Sequence, residues 1–387
     1  MNSPRQSAYL SAGVNIALGD LFSAFCGKIC SQSYQNSPHV EFRKPRDGHF
    51  RGSRAWRYID MDDCWHTAGS DGNGTKPILT VASRNFAGAP RDLLAMTGGD
   101  FTRYGNYPLV FLNDYSVATL GKDEKSEAFL ASMEIMIELG KAAKEQGYIL
   151  AGGETAELRD CIKSENPEAF LKFTFSGTMI GLSHPDKEID GSRMRAGNRI
   201  IALFDVVRSN GISALRRGLA KIFGPNWYDI PEAHQLILEA SAASALYDAM
   251  LVEANGWTTP DRQPIVKANL IAHLSGGGIQ SKFGDDQLFP RGLSATLSDL
   301  WEPPTVMKEC AKVQGMPDHD CYETWGCGQG ALVVVEEEDV EKFMDLCRKY
   351  GILAKDAGYI RNTAAGHQPG IDLVSGFSGD VITLNVK

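Results

Sequence analysis

The chain is poor in cysteine, with eight in 387 residues. Cys26 and Cys30 are four apart, Cys321 and Cys327 are six apart, and no C-x-x-C pair occurs. That spacing argues against a zinc site or a disulfide framework and fits reduced thiols in a cytoplasm. An excess of positive charge is also missing. The formal net charge is −9, so wholesale nucleic-acid binding is not expected, although single loops can still take a small anion. No apolar stretch approaches the ~20 residues that span a bilayer, so no membrane partner is expected. Met1-Asn2-Ser3-Pro4-Arg5-Gln6 leads into no apolar run of the signal-peptide kind. Short-period repeats and low-complexity tracts are absent. What remains is an ordinary soluble composition, 43% hydrophobic and 22% charged. Its length predicts two domains rather than one core.

The chain is instead rich in short clusters of glycine beside an acid, hydroxyl or imidazole. In order they are Ser70-Asp71-Gly72-Asn73-Gly74-Thr75-Lys76, Gly98-Gly99-Asp100, Gly152-Gly153-Glu154-Thr155-Ala156-Glu157, Ser209-Asn210-Gly211, and Ala272-His273-Leu274-Ser275-Gly276-Gly277-Gly278. Glycine exposes backbone N–H groups that suit phosphate oxygens. Nearby carboxylates suit Mg²⁺, which prefers oxygen ligands shared with substrate phosphates. The pattern reads as a nucleotide-using enzyme.

Periodicity places these clusters. Residues 13–34 read as partly helical on Leu18, Leu21, Phe22, Phe25 and Ile29, and residues 36–57 as polar and irregular. Pro108–Asn113 reads as a buried strand, followed by a helix that Asp123 would cap. Tyr148–Ala151 reads as a strand ending in a glycine turn, which would put Glu154 at a sheet edge. Phe173–Gly181, Arg199–Phe204, Leu270–Leu274, Leu293–Leu297 and Ala331–Val335 read as strands. Residues 232–254 and the segment after Asp339 read as helices. The mixture lacks strict βαβ alternation, so the expected class is α+β in two domains, 1–184 and 185–387, divided near His184-Pro185-Asp186.

Each cluster also has a plainer reading. Asp71–Lys76 lacks the G-x-x-x-x-G-K-[ST] spacing of a Walker A loop, and Asp-Gly pairs are common turn formers. An acid after Gly-Gly, as at Asp100 and Glu154, is often a helix cap or a turn residue. A strand histidine such as His273 is often a satisfied core residue, although adjacent glycines favour a pocket-facing ring. The basic residues Arg43, Lys44, Arg46, Arg51, Arg54 and Arg57 suit either a solvated loop or an anion-binding flap.

In this order the clusters resemble aminoimidazole ribonucleotide synthetase (phosphoribosylformylglycinamidine cyclo-ligase), a purine-pathway family, over roughly residues 8–360. Ala12-Gly13-Val14, Pro108–Leu112 and Ile189-Asp190-Gly191-Ser192 add to the match. The wider superfamily includes selenophosphate synthetase, thiamine-phosphate kinase and the hydrogenase maturation dehydratase. The resemblance implies an N-terminal α/β domain for ATP binding and dimerisation, its strands forming a dimeric barrel, and a C-terminal α+β domain. It implies a homodimer with ATP and Mg²⁺ in the inter-subunit cleft and a small-molecule nucleotide substrate. On that pattern Asp71, Asp100 and Glu154 are metal ligands. Gly72, Gly74, Thr75, Lys76, Gly153, Glu154, Thr155 and Asn210 contact ATP or phosphate. Gly276, Gly277 and Gly278 line the substrate side, and His273 and Asp71 are catalytic. The implied reaction closes formylglycinamidine ribonucleotide to aminoimidazole ribonucleotide: ATP phosphorylates an amide oxygen, and the ring-closing nitrogen displaces the phosphate.

The chain departs from that family at Leu10, Asn15, Gly99, Arg208 and Trp325-Gly326-Cys327-Gly328-Gln329-Gly330, and its glycine-rich flap is replaced by the basic segment 43–57. Phosphate and metal elements are kept better than substrate elements. Two further readings follow: an ATP-dependent enzyme of the superfamily with another acceptor, or a non-catalytic nucleotide-binding dimer.

Overall fold

A computed structural model describes residues 15–43 and 53–386. Leu10, the Ala12-Gly13-Val14 string, and Lys44, Arg46 and Arg51 of the basic segment lie outside the described residues. The architecture is mixed α and β. Its three sheets, among the described residues, are a two-stranded, a four-stranded and a seven-stranded one, none closed into a barrel.

Helix α1 (Ile16–Ser33) starts where Asn15 Oδ1 accepts from the Leu18 N–H at 3.2 Å, and it buries Leu18, Phe22 and Cys30. The segment expected to be irregular contains an antiparallel hairpin, β1 (Val40–Arg43) with β2 (Ala55–Tyr58). Its Val40, Phe42, Trp56 and Tyr58 pack into one apolar cluster with Met61 and Trp257. The many basic residues hid that period-two alternation.

The four-stranded sheet runs β3 (Trp65–Gly72), β6 (Phe173–Ser183), β4 (Tyr107–Val117), β5 (Ile149–Glu157), with only β4 and β5 parallel. Helices α2 (Lys76–Ser83), α3 (Gly88–Thr102) and α4 (Glu127–Gln146) fall between these strands in the chain. One face carries Phe111, Tyr115, Phe173, Phe175 and Met179 into a core shared with α1, α3 and α4. The alternate residues Ser70, Asp114, Glu154, Thr174 and Ser176 are exposed.

Three local expectations change. Gly98-Gly99-Asp100 is neither a helix N-cap nor a turn but lies in the last turns of α3. Gly152-Gly153-Glu154 does not end β5 in a turn, because the strand runs on to Glu157, paired with β4. Asp123 does not cap α4: the helix begins directly behind Ser126 as N-cap, and the Ser126 hydroxyl donates to Asp123 Oδ1 at 3.2 Å.

The seven-stranded sheet has the order β13-β12-β9-β11-β7-β10-β8. Its strands are β7 (Arg199–Phe204), β8 (Leu270–His273), β9 (Leu293–Leu297), β10 (Gln329–Val335), β11 (Ala354–Asn362), β12 (Gly370–Val374) and β13 (Val381–Asn385). Strands β7, β8 and β10 are apolar on both faces because both faces are covered. Ile200, Ala202, Ala272, Leu332 and Val334 meet α5 (Ile212–Phe223) and a later helix, Thr305–Gln314. Ile201, Leu203, Ile271, Val333 and Val335 meet Asp248–Ala254 and Val340–Lys349. The single helix expected over 232–254 is two, α6 (His234–Ala240) and α7 (Asp248–Ala254). Between them Ser244 turns its N–H and hydroxyl to the buried Asp92, at 3.0 and 2.7 Å, a demand that a continuous helix would not meet.

Candidate functional site

Asp71 sits near the end of β3 and Asp100 near the end of α3. Burial lifts the Asp71 carboxyl above its ordinary range; the Gly72 N–H, donating at 2.7 Å, opposes this, and the charge of Asp100 adds to it. Burial would lift Asp100 too, but His273, Arg103 and Lys282 outweigh it and hold that carboxyl low. A carboxylate that is lifted by burial and by the charge of a neighbouring carboxylate is what a divalent cation relieves. The donor set fits Mg²⁺.

Around this pair the chain brings three loops together. Gly74 (φ +56°) and Thr75 are exposed at the start of α2, and a Cβ on Gly74 would stand 3.6 Å from Ser209 O. Asn210 Nδ2 donates to Ser275 O at 3.1 Å, tying the Ser209–Gly211 turn to the loop after β8. Gly276 is exposed, with open space where a side chain would be. Asp71, Asp100, Gly74, Thr75, Asn210 and Gly276 thus belong to one polar region.

Other expected site residues turn inward. Lys76, expected as a phosphate contact, turns into the protein. Its ammonium is fully buried, 2.7 Å from Asp92 Oδ1 and 2.7 Å from Ala242 O, with Val207 O as third acceptor. All three donors are spent inside the protein. Gly72 lies within β3, opposite Ser176, and its N–H is taken by Asp71. Gly277 (φ +96°) and Gly278 (φ +56°) serve the turn itself, and a Cβ on Gly278 would come within 2.2 Å of Tyr322 O. Only Gly276 of the three faces outward. His273 is 3% exposed and cannot touch a substrate as it stands.

His273 closes a buried polar chain. Arg208 NH1 lies 3.0 Å from its Nε2, and Asp100 Oδ1 lies 3.6 Å from its Nδ1. Arg208 is itself paired with Asp205 at 3.1 Å and lies over the Tyr247 ring at 5.0 Å. Burial, reinforced by the Arg208 charge and opposed by Asp100, pushes the His273 ring down to about 4. Next to it Asp248 accepts from Tyr148 Oη at 2.6 Å and Thr102 Oγ1 at 2.8 Å, and burial lifts it to about 6. Gly99 allows the His273 ring its place, since a Cβ would lie 2.7 Å from Cε1. That accounts for glycine at one position where the chain departs from the family pattern. The sequence reading passed over Asp92, Asp205, Tyr148 and Asp248, which lie in no local string that marks them.

Two predictions arise here. Gly98→Ala places a Cβ 2.1 Å from Asp248 Oδ2 and 2.6 Å from Tyr148 Oη. Alanine gains about 1 kcal/mol of helix propensity, but overpacking a fixed hydrogen-bonded group costs about 1–3 kcal/mol and leaves that group poorly paired, so urea denaturation should show a net loss. The second concerns pH. His273 titrates near 6.5 when unfolded and about 4 when folded, so its neutral form is preferred and its contribution falls as pH drops from 6.5 to 4. Asp248 titrates near 3.8 unfolded and about 6 folded, so its contribution is full below 3.8 and lost as pH rises through 6. Between pH 4 and 6 the two slopes oppose each other. Asp248→Asn should leave stability rising with pH across that window, and His273→Asn should leave it falling; parallel curves for the two variants would contradict the assignment.

Glu154 lies elsewhere. Register runs Gly72, Ser176, Asp114, Glu154 across one row of the sheet and Asp71, Gly177, Asn113, Gly153 across the next. Asp71 and Glu154 therefore face opposite sides, three strand spacings or about 14 Å apart. Among the described residues the three-ligand grouping of His, Cys, Asp and Glu is His319, Asp320 and Glu323, of which only Asp320 is exposed, so the expected ligands do not converge within one chain. Gly152, Gly153, Glu154 and Thr155 instead line a cavity of about 630 Å³ against α1, with Cys26, Cys30, Arg54, Met136 and Leu139. A Cβ on Gly153 would lie 2.6 Å from both Asn113 O and Asn113 Oδ1, so glycine is required there. Burial raises both thiols to about 12, which makes them packing groups rather than nucleophiles.

No family model matches this chain. Solved structures do resemble it. One is the hydrogenase maturation protein HypE in complex with ATP (15% identity, TM-score 0.54, covering 84% of this chain and 85% of that one). Another is E. coli HypE (12% identity, TM-score 0.56, covering 95% and 98%). A third is thiamine-monophosphate kinase from Stenotrophomonas maltophilia (11% identity, TM-score 0.52, covering 91% and 95%). At such identities the likeness concerns the fold. The chain shares the fold of these hydrogenase maturation and thiamine-monophosphate kinase structures along most of its length.

Proposed function

We propose that the chain is an ATP- and Mg²⁺-dependent enzyme that phosphorylates an oxygen of a small-molecule acceptor. The observation that carries this reading is the Asp71–Asp100 pair, drawn from separate elements and set beside the exposed Gly74–Thr75 backbone. A metal held by these two carboxylates would neutralise the charge that develops on a transferring phosphoryl group. The exposed Gly74, Thr75 and Gly276, with the half-buried Asn210, would position the phosphates.

The active unit is a homodimer on this reading, with residues 1–184 supplying the nucleotide and dimer surface and 185–387 the second domain. The exposed polar face of the four-stranded sheet supports it. So does the position of Glu154, which lies too far from Asp71 to share its metal and would serve the cleft formed with a second copy. The finer reading, ring closure of formylglycinamidine ribonucleotide, rests on the sequence strings. The buried His273 and the packed Trp325–Gly330 segment favour a different acceptor, because the residues expected to read the ribonucleotide are committed to the core.

Purified protein with formylglycinamidine ribonucleotide, ATP and Mg²⁺ tests both levels. ADP together with the aminoimidazole product supports the cyclo-ligase. ADP formed only with another acceptor supports the broader reading, and nucleotide binding without turnover for any acceptor contradicts both.

A further inference from the structure

Arg208 and His273 meet through a single imidazole nitrogen. The guanidinium NH1 lies 3.0 Å from Nε2, and a guanidinium carries donors only. Nε2 is therefore the acceptor and holds no proton while that contact persists. A neutral ring then keeps its one proton on Nδ1. Nδ1 is buried without a hydrogen-bond partner and stands 3.6 Å from Asp100 Oδ1, just beyond hydrogen-bond length. Neither end of this chain is loose. Arg208 is fixed by Asp205 at 3.1 Å and by donation to Ala95 O at 3.2 Å. The ring is seated on Gly99, where a Cβ would come within 2.8 Å of Nδ1.

We infer that Arg208 and His273 are positioning residues: Arg208 selects the Nδ1–H tautomer of His273, and that N–H orients the Asp100 carboxylate. This rests on the reading of Asp100 as a metal ligand. An N–H 3.6 Å from one carboxylate oxygen attracts that oxygen and leaves the other to the cation, and outer partners of this kind typically change metal affinity 10–100-fold when removed. It also gives a role to Arg208, where the chain departs from the family string, and one to His273, which is out of reach of a substrate.

The tautomer is read directly by NMR of protein carrying ¹⁵N-labelled histidine, with the His273 signal identified by its loss in His273→Asn. The expected result is a protonated Nδ1 and an unprotonated Nε2. In D205N/R208M, which removes both buried charges together so that neither is left unpaired, the ring should move toward the Nε2–H form. A ring protonated on Nε2 in the native protein, or an unchanged Nδ1–H ring in the double variant, overturns the inference. Mn²⁺ binding followed by electron paramagnetic resonance in the presence of ATP gives the second readout. His273→Asn keeps an N–H donor near the place of Nδ1, whereas His273→Gln moves it toward Nε2. Binding should weaken about 10–100-fold in H273Q and much less in H273N; equal losses contradict the positioning role. Absence of Mn²⁺ binding in the native protein overturns the metal reading itself, whereas an Nε2–H ring beside normal Mn²⁺ binding overturns only the present inference.

Discussion

Replacing Asp71 by asparagine lowers ATP turnover by at least ~100-fold, the scale for losing one electrostatic contact to a transition state, and leaves the protein folded. Both halves of this expectation follow from the site. Asp71 is half-buried at the end of β3, and its charge is opposed by burial and by Asp100. The neutral amide therefore removes a repulsion from the folded state, and stability should hold or rise slightly. The same neutralisation takes away one of the two carboxylates offered to the cation. Activity and stability should move apart, which separates a functional residue from a structural one. Steady-state ADP formation and urea denaturation on the same sample check both. Full turnover in Asp71→Asn would remove Asp71 from the site.

Lys76→Met has the opposite signature. From its place after Gly74-Thr75, lysine reads as a phosphate contact, and its loss would then weaken ATP binding in a stable protein. The structure instead seats the ammonium between the two halves of the chain, on Asp92, Val207 O and Ala242 O. Methionine fills similar volume but leaves Asp92 buried against a lost cation. Burial already pushes that carboxyl up against the pull of Lys76. Breaking a buried pair from one side costs about 3–5 kcal/mol, a large share of the stability of an ordinary domain. Lys76→Met should therefore unfold at much lower urea, and D92N/K76M should recover part of the loss because no charge is left unpaired. A fully stable Lys76→Met that fails to bind ATP would restore the phosphate reading.

These two residues show what the sequence could and could not convey. Five residues apart in one string, Asp71 and Lys76 look alike as phosphate-site chemistry. Which one faces outward depends on Asp92 and residues 207 and 242, and no local pattern carries contacts over that separation. Strands with clear runs, such as Arg199–Phe204 and Leu270–His273, were legible because apolar residues there are continuous. The hairpin of β1 and β2 was hidden because its alternation lies under basic residues. Helix α3 was hidden because Gly98 and Gly99 break helical propensity, and they are there to admit Asp248, Tyr148 and His273. Glycine beside an acid thus had two meanings. At Gly74 and Gly276 it is open backbone, and at Gly98, Gly99, Gly153 and Gly278 it is close packing. Spacing alone does not separate the two, whereas the position of a hypothetical Cβ does.

On the proposed function, Asp71 and Asp100 hold a divalent cation for a bound nucleotide. Calorimetric titration of the native protein and of D71N/D100N with ATP, each with and without Mg²⁺, tests it most directly. The native protein should bind ATP much more tightly with Mg²⁺ than without it, and the double variant should lose that difference while staying folded. Equal Mg²⁺ dependence in the two proteins, or no Mg²⁺ dependence in the native one, would contradict the claim.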